Sequence, residues 1–120
     1  MANFRKLLVW QKAMELVMEI YQVTESFSEK EKFGLISQMR RAAVSIPSNI
    51  SEGCERGTNK DFASFLVFAR SSAAELETQV LISHSLKFLE KAKAENLLEK
   101  IIEIKKMLFA LRKKILQTAN

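Results

Sequence analysis

The chain has 120 residues, a formal charge of +5, three glycines, one proline, one cysteine and one histidine. That length supports one domain, residues 1–120, and so little turn material in a sequence rich in Ala, Leu, Glu, Lys, Gln and Met points to an all-α protein. A lone cysteine excludes an internal disulfide, the apolar run Leu7 to Trp10 is too short for a signal sequence, and no stretch approaches the roughly 20 apolar residues of a membrane span, so a cytoplasmic protein with no membrane contact is expected.

Apolar spacing predicts a first helix from Leu8 to Ser26. Trp10, Ala13, Val17, Ile20, Thr24 and Phe27 form its stripe, widened by Met14 and Tyr21. Ser28 with Glu31 resembles a capping box for the next helix. That second helix spans Phe33 to Glu55 and buries Leu35, Met39, Ala42, Ala43, Ile46 and Ile50. Its segment Arg40 to Gly53 reads RRAAVSIPSNISEG: paired arginines, a proline in mid-helix and a glycine stop. Proline there removes a backbone donor and costs roughly 3 kcal/mol, which something else must offset.

Thr58 or Asn59 caps the third helix, with Asp61 in its first turn, and the helix continues to Lys87. The fourth begins between Leu89 and Ala94; Leu97, Ile101, Ile104, Leu108, Leu111 and Ile115 give it a regular heptad seam. Four long helices with short connections pack most simply as an antiparallel up-down-up-down four-helix bundle. A turn near residue 58 places Arg41 level with Glu75 and sets Ala42, Ala43 and Ser45 opposite Ser71 to Ala74. Small residues on both sides permit close approach, and an ion pair, direct or through Arg40 and Glu77, would set the register.

Two helices carry more apolar surface than one stripe. Ile102, Phe109 and Leu116 repeat every seven residues off the seam of the fourth. Val67, Ala74, Leu81 and Phe88 do the same on the third, where Phe65 and Phe68 add to it. Such surplus predicts a homo-oligomer. Charge is also uneven. Residues 1–99 hold thirteen bases and thirteen acids, whereas residues 100–120 hold Lys100, Lys105, Lys106, Arg112, Lys113 and Lys114 against Glu103 alone. A localised basic surface fits phosphate, and it equally complements a helix C-terminus. Glu95, Glu99 and Glu103 suggest that the acidic and basic sides of this helix are segregated.

Catalytic chemistry is hard to find. There is no phosphate-binding glycine loop and no Cys/His spacing for zinc. His84 reads as an ordinary helix residue, and Cys54, near a helix C-terminus, as a poor nucleophile. Ser45, Ser48, Asn49 and Glu52 line up along the second helix. They read as partners for carbonyls freed by Pro47 or for the third helix, rather than as substrate contacts.

Three segments, Leu8 to Val17, Phe33 to Gly53 and Phe65 to Gln79, resemble the 23S rRNA intervening-sequence proteins, also called bacterial four-helix-bundle proteins. Ser51 stands where that family usually has alanine, and Lys87-Phe88 replaces a Gly-aromatic turn. The resemblance implies an up-down bundle assembling as a ring-like homopentamer. It also implies kinship with proteins encoded inside ribosomal RNA insertions and, more distantly, with accessory proteins of reverse transcriptases. The matching motif residues are Trp10, Arg40, Arg41, Ser45, Pro47, Asn49, Glu52, Gly53, Arg70, Glu75 and Glu77, read mostly as architectural.

Three functions compete. The first is a non-enzymatic oligomer binding RNA or DNA through the basic end of the fourth helix, with no cofactor and no metal. The second is a scaffold for a protein partner such as a polymerase. An enzyme built on Arg41, Asn49 and Glu52 ranks last.

Overall fold

The computed structural model describes residues 3–118. Four helices pack in chain order around one apolar core: α1 (Leu8–Thr24), α2 (Ser37–Glu55), α3 (Asn59–Ser85) and α4 (Lys91–Leu116). Neighbours in the chain are neighbours in space, and α1 also touches α4, so the bundle is a closed four-cornered one about 49 Å long. Among the described residues, no helix is long and apolar enough to cross a membrane.

The seam of α4 buries as expected through Leu97, Ile101, Ile104 and Leu108, with Leu111 and Ile115 half-buried at its end. In α2, Met39, Ala42, Ala43, Ile46 and Ile50 are fully enclosed, while Leu35 is only half so. The stripe of α1 buries as expected at Ala13, Ile20, Thr24 and Phe27 and shifts by one position at Val9 and Leu16. Val9, Ala13, Leu16, Ile20 and Thr24 face the core, whereas Trp10 and Val17 are half-buried and Met14 and Tyr21 are exposed. Trp10 instead meets Phe4 edge to face, with centroids 5.4 Å apart.

The α1–α2 connection departs from the expected single helix. Ser28 accepts from the Lys30 amide and caps only a short 3₁₀ turn, Glu29–Glu31. A π-helical turn, Lys32–Ile36, follows, kinked at Gly34, and α2 proper starts at Ser37. Gly53 does not stop α2. It lies buried inside the helix, which runs two residues further and ends before Gly57, whose φ of +97° only glycine adopts easily. Thr58 caps α3, accepting from the Asp61 amide at 3.1 Å.

The α3–α4 turn is a Schellman motif. The Phe88 amide bonds the Ser83 carbonyl and the Lys87 amide bonds that of His84, both at 2.9 Å. Lys87 holds the left-handed position at φ +66°. His84 adds a tie that the sequence did not reveal: its Nδ1–H donates to the Leu89 carbonyl at 3.0 Å.

Helices α2 and α3 make the closest pairing, and their register agrees with expectation. Ser72 Oγ donates to Ser45 Oγ at 2.9 Å, and Asn49 Nδ2 donates to the Ser45 carbonyl and hydroxyl at 2.8 and 2.9 Å. The expected Arg41–Glu75 pair is not made; both side chains are exposed. Arg40 turns instead to α1 and Glu77 to α4. Small side chains, not opposite charges, fix this register. Nor do the polar groups of α2 compensate Pro47 directly. Their bonds fall on Ser45, whereas the carbonyl deprived of a donor by Pro47 is that of Ala43. Glu52 is exposed.

Candidate nucleic-acid interface

The six cations gathered at the end of the chain divide into two sets. Lys100 pairs with Glu19 of α1. Lys105 pairs with Glu77 of α3 at 2.8 Å, both side chains being largely covered. Arg112 lies half-buried, its Nε donating to the Ala63 carbonyl at 3.2 Å. These three knit α4 to its neighbours; carboxylates neutralise Lys100 and Lys105, whereas the Ala63 carbonyl leaves the Arg112 charge in place. Lys106, Lys113 and Lys114 are exposed and make no ion pair among the described residues. Lys113 and Lys114 lie in the last turn, at the negative end of the helix dipole. Asn59 anchors that end, its Nδ2 donating to the carbonyls of Ile115 and Thr118 at 3.4 Å.

On one outward face of α4 the charge changes sign along the helix. Glu99, Lys106 and Lys113 are seven residues apart and so share one outward face, acidic near the start and basic near the end. Glu103 is drawn off by Lys12 of α1 at 3.2 Å.

The surplus apolar residues also separate into two groups. Val67 and Leu81 on α3 face the same seam as Ile102, Phe109 and Leu116 on α4, and all five stay substantially exposed. The Arg70 guanidinium over the Phe109 ring at 5.1 Å and the Lys105–Glu77 pair cross that seam and fix its two sides. Phe65 belongs elsewhere. It is half-buried against Gly53 of α2, with Phe68 edge-on to it at 5.5 Å. Phe68, which is exposed, therefore heads a smaller patch on the α2 side of α3.

An exposed surface on the α1–α2 side went unforeseen. Met14, Met18, Tyr21, Phe33 and Val44 lie open there. Apolar spacing predicts that Met14 and Tyr21 widen the buried stripe of α1; both lie beyond its edge and are exposed. The paired arginines of α2 differ in their surroundings. Arg40 Nε donates to the buried Thr24 hydroxyl at 2.9 Å and its Nη2 to the Tyr21 carbonyl at 3.2 Å, clamping the end of α1. Arg41, one residue on, points to solvent.

Among the described residues, no group of three or more His, Cys, Asp and Glu side chains is placed to hold a metal ion. Burial, and secondarily the neighbouring Glu55, pushes the Cys54 thiol above its ordinary range. That is the opposite of activation.

Comparison with known proteins adds three findings. The 23S rRNA-intervening sequence protein family matches residues 5–110. A solved structure from Bacteroides thetaiotaomicron, described as a protein of unknown function from the S23 ribosomal protein family, superposes with a TM-score of 0.80 at 25% identity, covering 88% of this chain and 99% of its own. No curated protein matches the chain.

Proposed function

The chain belongs to the family of 23S rRNA-intervening sequence proteins, and on that premise we propose that it is a non-enzymatic, cytoplasmic homo-oligomer that binds RNA through the basic end of α4. The observation that carries the reading is the set Lys106, Lys113 and Lys114, three exposed cations near one helix terminus with no carboxylate holding them. Flexible ammonium groups of this kind neutralise backbone phosphates by position and charge, without reading bases.

Self-association supplies the affinity that three lysines lack. The apolar seam of Val67, Leu81, Ile102, Phe109 and Leu116 is one contact surface, and the Phe68 patch is a second, different one. Two unlike patches on one subunit make a head-to-tail contact, which closes into a ring, and we assign five subunits to it. A ring repeats the basic end in every subunit, and linked weak sites bind with an avidity none has alone.

The test is RNA binding by the wild type and by the triple variant Lys106→Ala, Lys113→Ala, Lys114→Ala across a salt series. Each lost phosphate contact should reduce the slope of log K against log salt by roughly 0.7 to 0.9. An unchanged slope would sink the assignment. A second reading, a scaffold for a nucleic-acid enzyme such as a reverse transcriptase, draws on the same apolar seam. Capture of that enzyme in a complex surviving nuclease and high salt would favour it.

A further inference from the structure

The kinked turn between α1 and α2 builds a hollow that the proposed α4 interface does not use. Tyr21, Lys32, Phe33, Ile36, Ser37, Arg40, Arg41 and Val44 line an open, shallow hollow of about 500 Å³. Three of those side chains are cationic. Phe33 is 89% exposed, the most exposed of the large apolar residues. The Lys32 ammonium lies 5.6 Å from the Phe33 ring and the Arg40 guanidinium 4.5 Å from that of Tyr21. The only carboxylate paired within this group is Glu25, on Arg40 at 3.4 Å. Lys32 and Arg41 keep their charge for a ligand.

An aromatic ring left in water beside unpaired cations has a specific chemical complement. The ring offers a flat apolar face for a base, and the cations offer partners for the phosphates on either side of it. Apolar protein partners would leave Lys32 and Arg41 to be desolvated unpaired, and an acidic peptide would leave Phe33 unused. A nucleic-acid strand satisfies both. The hollow is lined by α1, the kinked turn and α2 alone, so neither the α3–α4 seam nor the Phe68 patch of α3 contributes a residue to it.

We propose that this hollow binds an unpaired nucleotide of a nucleic-acid strand, its base stacked on Phe33 and its phosphates on Lys32 and Arg41. This rests on the nucleic-acid reading above and extends it. The end of α4 would hold strand backbone without regard to pairing, and the hollow would favour single-stranded segments. Arg40 is the positioning residue: it is already committed to the end of α1, and it holds Tyr21 in place from one side.

The experiment compares a short fluorescein-labelled oligouridine, the matching deoxyoligonucleotide and a blunt RNA duplex of equal length, by fluorescence anisotropy. Phe33→Ala should weaken oligouridine binding at least about five-fold, the lower end of a lost base–aromatic stack. Duplex binding should change less than two-fold. Phe33→Tyr, which keeps a stacking face, should restore single-strand affinity. Arg41→Ala should weaken both single strands and flatten their salt dependence. Equal losses for duplex and single strand, or no loss at all, would overturn the proposal while leaving the α4 reading intact. Failure of the wild type to bind any of the three would overturn both. A change in subunit number for Phe33→Ala, measured by sedimentation, would assign the hollow to a second copy of the chain and likewise overturn it.

Discussion

A β-carbon placed on Gly53 would lie 2.4 Å from Cβ of Phe65, inside any tolerable contact distance. The approach of α2 to α3 is therefore set by the absence of a side chain at one position in the last turn of α2, and glycine inside a helix otherwise costs up to about 1 kcal/mol. The close pairing of these helices offsets that cost.

Gly53→Ala should destabilise the protein by about 1–3 kcal/mol through overpacking, despite alanine's better helix propensity. Urea denaturation would measure it. Because the nearest atom is Cβ and not the ring, adding Phe65→Ala should fail to rescue the variant. Rescue would show that the ring, rather than the backbone spacing, is the constraint.

Lys87 occupies a left-handed position for which glycine has no steric penalty. Lys87→Gly should stabilise the fold by about 1 kcal/mol, raising Tm by roughly 4 °C. Unchanged or lowered Tm in a thermal melt would mean that the Lys87 side chain contributes more than its backbone strain costs.

Lys105 and Lys106 are adjacent in sequence and opposite in employment. Lys105→Ala should cost about 0.5–1 kcal/mol of stability through its partly covered partner Glu77, and change RNA affinity less than two-fold. Lys106→Ala should do the reverse, lowering RNA affinity while leaving the urea midpoint in place. Parallel anisotropy and denaturation on the two variants decide the matter.

The arginine pair divides in the same way. Arg40→Ala removes donors to the buried Thr24 hydroxyl and to the Tyr21 carbonyl at the end of α1, and should cost about 1–2 kcal/mol. Arg41→Ala should stay within about 0.5 kcal/mol of wild type, as exposed substitutions usually do. Equal losses in chemical denaturation would contradict this division.

Much of the architecture was legible because it rests on periodicity. The heptad seam of α4 and the small-residue stripe of α2 need only spacing to be read, and both were placed correctly. In α1, apolar residues occupy so much of the circumference that spacing alone admits two neighbouring stripes. Cross-helix pairs were the least readable. Whether Arg41 meets Glu75, or Glu77 meets Lys105, depends on rotations of a few tens of degrees that no single helix encodes. The same limit made six cations look equally available, when Lys100 and Lys105 are paired with carboxylates and Arg112 is half-buried. Gly53 was visible as an exception and read as a terminator, since its true reason is the neighbour it faces.

Two ion pairs fasten the seam between α1 and α4. Lys100–Glu19 and Lys12–Glu103 bridge it across a polar cleft lined by Glu19, Gln22, Val23, Ser26, Lys93, Asn96 and Leu97. Mobile ions weaken attractions of this type. Raising ionic strength thus acts on the protein twice, stripping a bound polyanion and slackening one corner of the bundle. A salt titration followed by tryptophan emission, with Trp10 on α1 as the reporter, would record both events superimposed.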